Sequence, residues 1–181
     1  MTRTILSLCD WSGKWPKPYR EAGYDVIQVD IKRGGDVRLM EKPDVEIHGI
    51  LAAPPCTMFA ASGNRWQRSD DDMRDALAIV DACLRLVVVT KPVWWALENP
   101  VGKLTRYLGK APLYFQPWMY GDPYSKLTGI WGEYNEPAKT PVENTEGSKM
   151  WSNYGGKSER TKTARSMTPQ GFALAFFKAN P

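Results

Sequence analysis

The 181 residues carry 24 Lys and Arg against 20 Asp and Glu, and 43% are hydrophobic, which fits one globular domain with a single large core and is too little for two. The mild formal charge of +4 suits a polyanionic partner, whereas three widely spaced cysteines, Cys9, Cys56 and Cys83, set aside a disulfide framework and a metal site. No apolar run approaches the roughly 18 residues of a spanning helix, and Met1 to Leu8 lacks the apolar stretch of a signal peptide, so the expectation is a cytoplasmic protein with no membrane association.

In chain order, Thr4 to Cys9 is a short apolar strand, followed by a broken turn and a helix that stops at Gly23. A second strand, Asp25 to Ile31, closes at Gly34-Gly35. Glu46 to Ala53 is too continuously apolar for a sheet with one wet face, which predicts a central parallel strand ended by Pro54-Pro55. Its one histidine, His48, reads as a core residue rather than a catalyst. From Asp70 to Thr90, apolar residues recur at three- and four-residue steps behind three aspartates at the positive end of a helix dipole, with Cys83 on the inward stripe. Val93 to Leu97 is a buried strand whose Trp94 and Trp95 pack on opposite faces, and Glu98-Asn99-Pro100 follows it. Leu113 to Tyr120 and Leu127 to Trp131 are strand candidates paired around Gly121-Asp122-Pro123. Residues 133–164 read as an irregular excursion within one domain spanning 1–181, and Pro169 to Ala179 as a closing helix docked by its phenylalanines. Strands alternating with helices predict an α/β fold with a mostly parallel central sheet and helices on both faces.

Open parallel sheets bind ligands beyond the carboxyl ends of their strands, and the residues there are chemically unusual. The first strand runs into Trp11-Ser12-Gly13, the second reaches Asp30, the third Pro54-Pro55-Cys56, and the fifth element Glu98-Asn99. An acid at the end of the second strand can accept both hydroxyl hydrogens of a ribose, so a nucleoside-containing cofactor is implied, with Ile31 beside it. Asp36, next to Val37, can accept from an adenine amino group, and Trp11 can stack on the ring. Ser12-Gly13-Lys14-Trp15 lacks a GxGxxG pattern, which disfavours a pyrophosphate-bearing dinucleotide, whereas S-adenosylmethionine carries no phosphate and does not need that cradle. Cys56 stands on a turn stiffened by two prolines, where a nucleophilic thiol and a small buried hydrophobe are both open readings. A carboxyl at Glu98 is costly to desolvate unless it is used, and beside a cytosine it can hydrogen-bond ring N3.

These residues together resemble the DNA (cytosine-5) methyltransferases. Pro55-Cys56-Thr57-Met58-Phe59 matches the family's catalytic Pro-Cys motif, and Glu98-Asn99-Pro100 is similar to its Glu-Asn-Val. Trp11-Ser12-Gly13, with Trp11 where the family has phenylalanine, Asp30, and Gly35-Asp36-Val37 resemble its cofactor motifs. Tyr120-Gly121-Asp122-Pro123-Tyr124-Ser125-Lys126 and Arg165-Ser166-Met167-Thr168 resemble two later segments, in order. The resemblance implies a Rossmann-like, S-adenosylmethionine-dependent methyltransferase fold and a DNA (cytosine-5-)-methyltransferase with Cys56 as nucleophile and Glu98 as ring activator. Pro54 then lies in the cofactor site, and Pro55, Asn99, Lys126 and Thr128 line the substrate, while Arg65 and Arg68, by their position in the loop after Cys56, are placed to reach its backbone near the site.

The departures are equally specific. The family arginine that holds cytosine O2 falls on Thr128, with Lys126 as a substitute, and Trp15 and Pro16 replace later glycines of the cofactor turn. In place of a target recognition domain there are about thirty irregular residues, which predicts little or short sequence specificity. Duplex DNA, single-stranded nucleic acid and free deoxycytidylate remain open as substrates, as do an exocyclic-amino methyltransferase and a non-catalytic nucleic-acid-binding relative.

Overall fold

The structure is a computed structural model and describes residues 2–60, 69–148 and 166–181. Six strands form one sheet: β1 (Thr4–Leu8), β2 (Asp25–Val29), β3 (Ile47–Ala52), β4 (Trp94–Pro100), β5 (Leu113–Phe115) and β6 (Thr128–Glu133). Their order across the sheet is β2-β1-β3-β4-β6-β5. The three ladders joining β2, β1, β3 and β4 are parallel, and the two ladders made by β6 are antiparallel, so the sheet is mixed and its parallel half carries the first four strands. β3 is central, as its unbroken apolar run requires: Ile47, Ile50, Leu51 and Ala52 are each at most 2% exposed.

Successive side chains of a strand point to opposite faces, and the two faces carry separate cores. Leu6, Leu8, Ile50, Ala52, Leu97 and Trp131 pack on one side against α2 (Asp70–Thr90), through Ala76, Val80, Cys83 and Leu86. Ile5, Leu51, Trp94, Ala96 and Ile130 pack on the other against α1 (Lys17–Glu21) and α4 (Gln170–Ala179). Trp94 and Trp95 do divide between the faces. Gly49 lies directly under the Trp94 indole, where any Cβ would overlap the ring.

α2 spans the expected residues, and its start has a local cause. The Ser69 hydroxyl accepts from Asp72 N, the Asp72 carboxylate accepts from Ser69 N, and three aspartates occupy the first turn. Cys83 faces inward, and its hydrogen bond with Cys9 and its burial hold its thiol well above the usual range. It is inert packing. α3 (Thr105–Leu108) is a single turn between β4 and β5.

Two expected boundaries shift, and one expected core residue lies nearer the surface. Leu113 to Tyr120 is not one strand: β5 ends at Phe115, and Pro117, which has no N–H for a ladder, opens a 3-10 turn over Pro117–Tyr120. β4 does not stop at Leu97 but continues through Pro100, because β6 runs antiparallel beside it and pairs Glu98 with Ile130 and Asn99 with Gly129. His48 is half-buried at the margin of the core, with Nε2 2.8 Å from the carbonyl oxygen of Pro181. Residues 134–147 contain no helix or strand.

α4 is fastened by aromatic packing. Phe172 stacks on Phe115 with centroids 3.9 Å apart, meets Tyr120 edge-on at 5.2 Å and touches Trp15 at 6.2 Å. Asn180 ends the helix by accepting from Asn135 N and donating to the Asn135 carbonyl, while its own carbonyl accepts from Tyr19 Oη. Burial, and then the neighbouring Tyr24, raise the Tyr19 hydroxyl far above its ordinary pKa, so it remains a donor. Phe172→Ala is expected to cost about 3–5 kcal/mol of stability in a urea melt, and Phe172→Leu distinctly less.

Candidate active site at the carboxyl edge of the sheet

Each parallel strand delivers its chemistry where it leaves the sheet. After β1, Asp10 is 6% exposed and its carboxylate accepts from Ser12 Oγ at 2.5 Å, Gly13 N at 3.0 Å and Trp15 N at 3.3 Å. This one acceptor shapes the turn. Gly13 has φ +63°, and a Cβ there would come within 2.8 Å of Arg20 Nη1. Gln28 of β2 donates to the Asp10 carbonyl and accepts from Arg20 Nη2, so the turn is held from the neighbouring strand as well.

At the end of β2, Asp30 is extended and its Oδ1 accepts from Lys32 N at 2.8 Å, opening a 3-10 turn over Ile31–Arg33. Lys32 Nζ stands 5.2 Å from the centre of the Trp11 ring, a cation–π contact that brings Trp11 beside this turn. Trp11 and Ile31 are 37% and 72% exposed, so an aromatic face, an aliphatic side chain and a carboxylate are available together. Asp36 caps Val37–Leu39, and hydrogen bonds from Arg38 hold its carboxyl below the usual range. Both of its oxygens are engaged by Arg38, while Val37 is 4% exposed.

Pro54, Pro55 and Cys56 follow β3. Pro54 is buried, Pro55 exposed and Cys56 half-buried. The Cys56 carbonyl accepts from Phe59 N at 3.0 Å and Ala60 N at 2.8 Å, and the Phe59 ring, fully buried, anchors this turn. Asn99 Nδ2 donates to the Pro54 carbonyl at 3.0 Å, tying the turn to β4. A carbonyl only accepts, so this bond fixes which end of the Asn99 amide is nitrogen. Its Oδ1 is left buried without a partner among the described residues.

Ala52 lies opposite Leu97 in the parallel ladder, so Cys56 is four residues past that pair on one strand and Glu98 one residue past it on the next. Glu98 is 4% exposed, and Lys126 Nζ approaches its Oε1 at 3.4 Å. Both side chains are sealed from solvent. Thr128 is also fully buried, and its hydroxyl donates to the Lys126 carbonyl at 2.9 Å, which fixes the backbone that presents the lysine.

The expected residues Trp11, Ser12, Gly13, Asp30 and Ile31 thus share one end of β1 and β2, and Pro54, Asn99, Glu98, Lys126 and Thr128 share one end of β3, β4 and β6. Glu98 and Asn99 belong to a strand, not to the loop after it. Arg65 and Arg68, with Trp66, Trp151 and the basic stretch 155–162, lie outside the described residues. Asp10 and Gln28 escaped the sequence reading. Asp10 had a local signal, an acid followed by Ser12-Gly13 at the spacing of an Asx turn; Gln28 had none, because its bond spans 18 residues.

The groups at the ends of β1 and β2 would fit S-adenosylmethionine on one observation in particular: Asp30 Oδ1 accepts from its own turn, while its other oxygen has no hydrogen bond among the described residues and stands beside an exposed indole. The fit is poorer at Asp36, whose oxygens are already engaged. No helix among the described residues is long and apolar enough to cross a membrane, and none of their His, Cys, Asp and Glu side chains gather as a metal-ligating group of three.

No protein-family model matches the chain, and no curated protein does. Among solved structures, the fold is similar to that of a provisionally assigned DNA modification methyltransferase encoded within a prophage (E. coli), with a TM-score of 0.55 and 19% sequence identity. The likeness covers 72% of this chain and 46% of the other, so the chain spans about half the length of that protein. It shows a shared α/β fold.

The buried pair generates a prediction of its own. Lys126→Met leaves the Glu98 carboxylate without its counter-charge and is expected to destabilise the protein by about 3–5 kcal/mol, whereas Glu98→Gln combined with Lys126→Met recovers most of that loss. Denaturant melts of the two single variants and the double variant measure the coupling.

Proposed function

We propose that the protein is an S-adenosylmethionine-dependent methyltransferase of Rossmann-like fold that methylates C5 of cytosine in DNA. The observation that carries the reading is the joining of two strand ends: Asn99 of β4 holds the Pro54 carbonyl, and the residue before it in the strand, Glu98, is buried against Lys126. A thiol on a proline-stiffened turn and a desolvated carboxyl are the two groups that the chemistry at C5 demands. The resemblance of the surrounding motifs and the likeness of fold to a DNA modification methyltransferase support it.

The C5 carbon of cytosine is a poor nucleophile. Attack of the Cys56 thiolate on C6 forms a C–S bond and pushes the C5–C6 π electrons toward C5, while charge accumulates at N3 and O2. Glu98, carrying a proton when the base is bound, donates it in a hydrogen bond to ring N3, and the Lys126 ammonium beside it supplies positive charge where the ring becomes electron-rich. When bound, the cofactor supplies an electrophilic methyl group, which C5 takes. Water then removes the C5 proton, the freed pair restores the C5–C6 double bond, and the Cys56 thiolate leaves. Asp30 and Trp11 hold the adenosine, Ser12 and Gly13 shape the turn beside it, and Ile31, Val37 and Pro54 line the same pocket. Asn99 holds the nucleophile's turn. Lys126 takes the place of the family arginine, and Thr128 positions it.

The roughly thirty residues of 133–164 are too short a segment to offer much surface for reading base edges, so the enzyme has little or short sequence specificity. In a duplex the target base must leave the stack, at a cost of a few kcal/mol, and a single strand avoids that cost.

The test is product analysis after incubation with labelled cofactor and mixed-sequence duplex, single strand or deoxycytidylate. The expected product is 5-methylcytosine, with Cys56→Ser inactive and Glu98→Gln slowed at least a hundredfold. Label on an exocyclic amino group with Cys56→Ser still fully active would overturn the C5 assignment. Nucleic-acid binding with no affinity for the cofactor would point to a non-catalytic protein.

A further inference from the structure

The segment that follows β4 has a charge pattern that the catalytic reading does not use. From Asn99 to Gly121 there is no Asp or Glu, and the only charged residues are Lys103, Arg106 and Lys110. Arg106 and Lys110 are exposed and Lys103 half-buried, and none of the three forms an ion pair with a described carboxylate. Among them stands Tyr107, 49% exposed, an aromatic ring that core packing leaves half in water.

The segment is rigid and it is built onto the turn of Cys56. Lys103 N donates to the Phe59 carbonyl at 2.7 Å, Ala60 and Gly102 form a β-bridge, and the Tyr107 ring meets Phe59 edge-on at 6.5 Å. Leu104 is fully buried beneath it, and Trp131 Nε1 donates to the Gly109 carbonyl at 3.0 Å. Three cations with no ion-pair partner among the described residues are therefore carried on a backbone tied to the turn of the candidate nucleophile, around an exposed aromatic ring.

We infer that residues 103–110 form the contact surface for the nucleic-acid strand that carries the target base, with Lys103, Arg106 and Lys110 on backbone phosphates and Tyr107 stacked on a neighbouring base. The inference deepens the proposed function and rests on it for the nature of the substrate. Phosphate neutralisation supplies affinity without reading sequence, which suits a chain with a small recognition surface. An exposed tyrosine between the cations is the part that an unpaired base fits and a phosphate alone does not.

The experiment is equilibrium binding of fluorescent single-stranded and duplex oligonucleotides without cofactor, across a salt series, in Cys56→Ala so that no chemistry intervenes. Neutralising Lys103, Arg106 and Lys110 together to Gln is expected to flatten the plot of log affinity against log salt by about 2 to 3 for duplex, since each lost phosphate contact removes about 0.9. Tyr107→Ala is expected to weaken single-strand binding about tenfold with the salt slope unchanged. The control neutralises Arg3, Lys91 and Lys178, which lie toward the opposite edge of the sheet, and changes net charge equally. Thermal melts and cofactor affinity verify that each variant is folded.

An equal effect of the control, an unchanged slope in the triple variant, or no nucleic-acid binding by the parent protein would each overturn the surface. A parallel methylation assay uses the protein with Cys56 intact and cofactor added: if it forms 5-methylcytosine in any of those cases, the catalytic reading stands without the surface. If the slope changes as expected in the binding assay while the Cys56-intact protein gives no methylation, the surface stands and the chemistry falls.

Discussion

A carboxylate in the middle of a strand pairing is the constraint around which this edge of the molecule is arranged. Glu98 is flanked in its strand by Leu97 and Asn99, faces Ile130 across the ladder and is almost wholly removed from water. Such a group persists only if a counter-charge is desolvated with it, and Lys126 is that counter-charge. The lysine arrives through a backbone segment pinned by Thr128, and Asn99, the next residue along, reaches the opposite way to hold the turn of Cys56. A buried pair of this kind contributes little net stability compared with apolar packing.

The arrangement also divides the labour of the sheet. The ends of β1 and β2 present an exposed indole and a carboxylate with one uncommitted oxygen, suited to a nucleoside. The ends of β3, β4 and β6 present sulfur, carboxyl and ammonium groups, suited to a polarised ring. The antiparallel β6 is what separates the second group from a simple parallel sheet: without its pairing with β4, Glu98 would sit in a loop open to water.

Much of this was legible in the sequence where the cause is local. The helix over 70–90 was readable because the three leading aspartates and the apolar step point to the same boundaries, and the Ser69 capping box that the structure adds is equally local. Pro54-Pro55 ended β3, and the position of Cys56, Asp30 and Trp11 just past apolar runs singled them out. What was not legible depends on partners distant in the chain. Glu98 and Asn99 look like loop residues, with a proline following, until β6 is laid beside them thirty residues later. The burial of Lys126 cannot be read from its neighbours, and the long-range bond from Gln28 to the turn of Asp10 leaves no periodic trace.

The central claim is that the Cys56 sulfur bonds to a cytosine ring carbon during turnover. A duplex carrying 5-fluorocytosine, incubated with the protein and S-adenosylmethionine, tests it most directly, because fluorine at C5 cannot depart as a proton and the covalent species is arrested. The account predicts a denaturation-resistant adduct whose peptide map ends at Cys56, and no adduct in Cys56→Ser. Methyl transfer to cytosine with no trapped complex, or a complex mapping to any other residue, would contradict it.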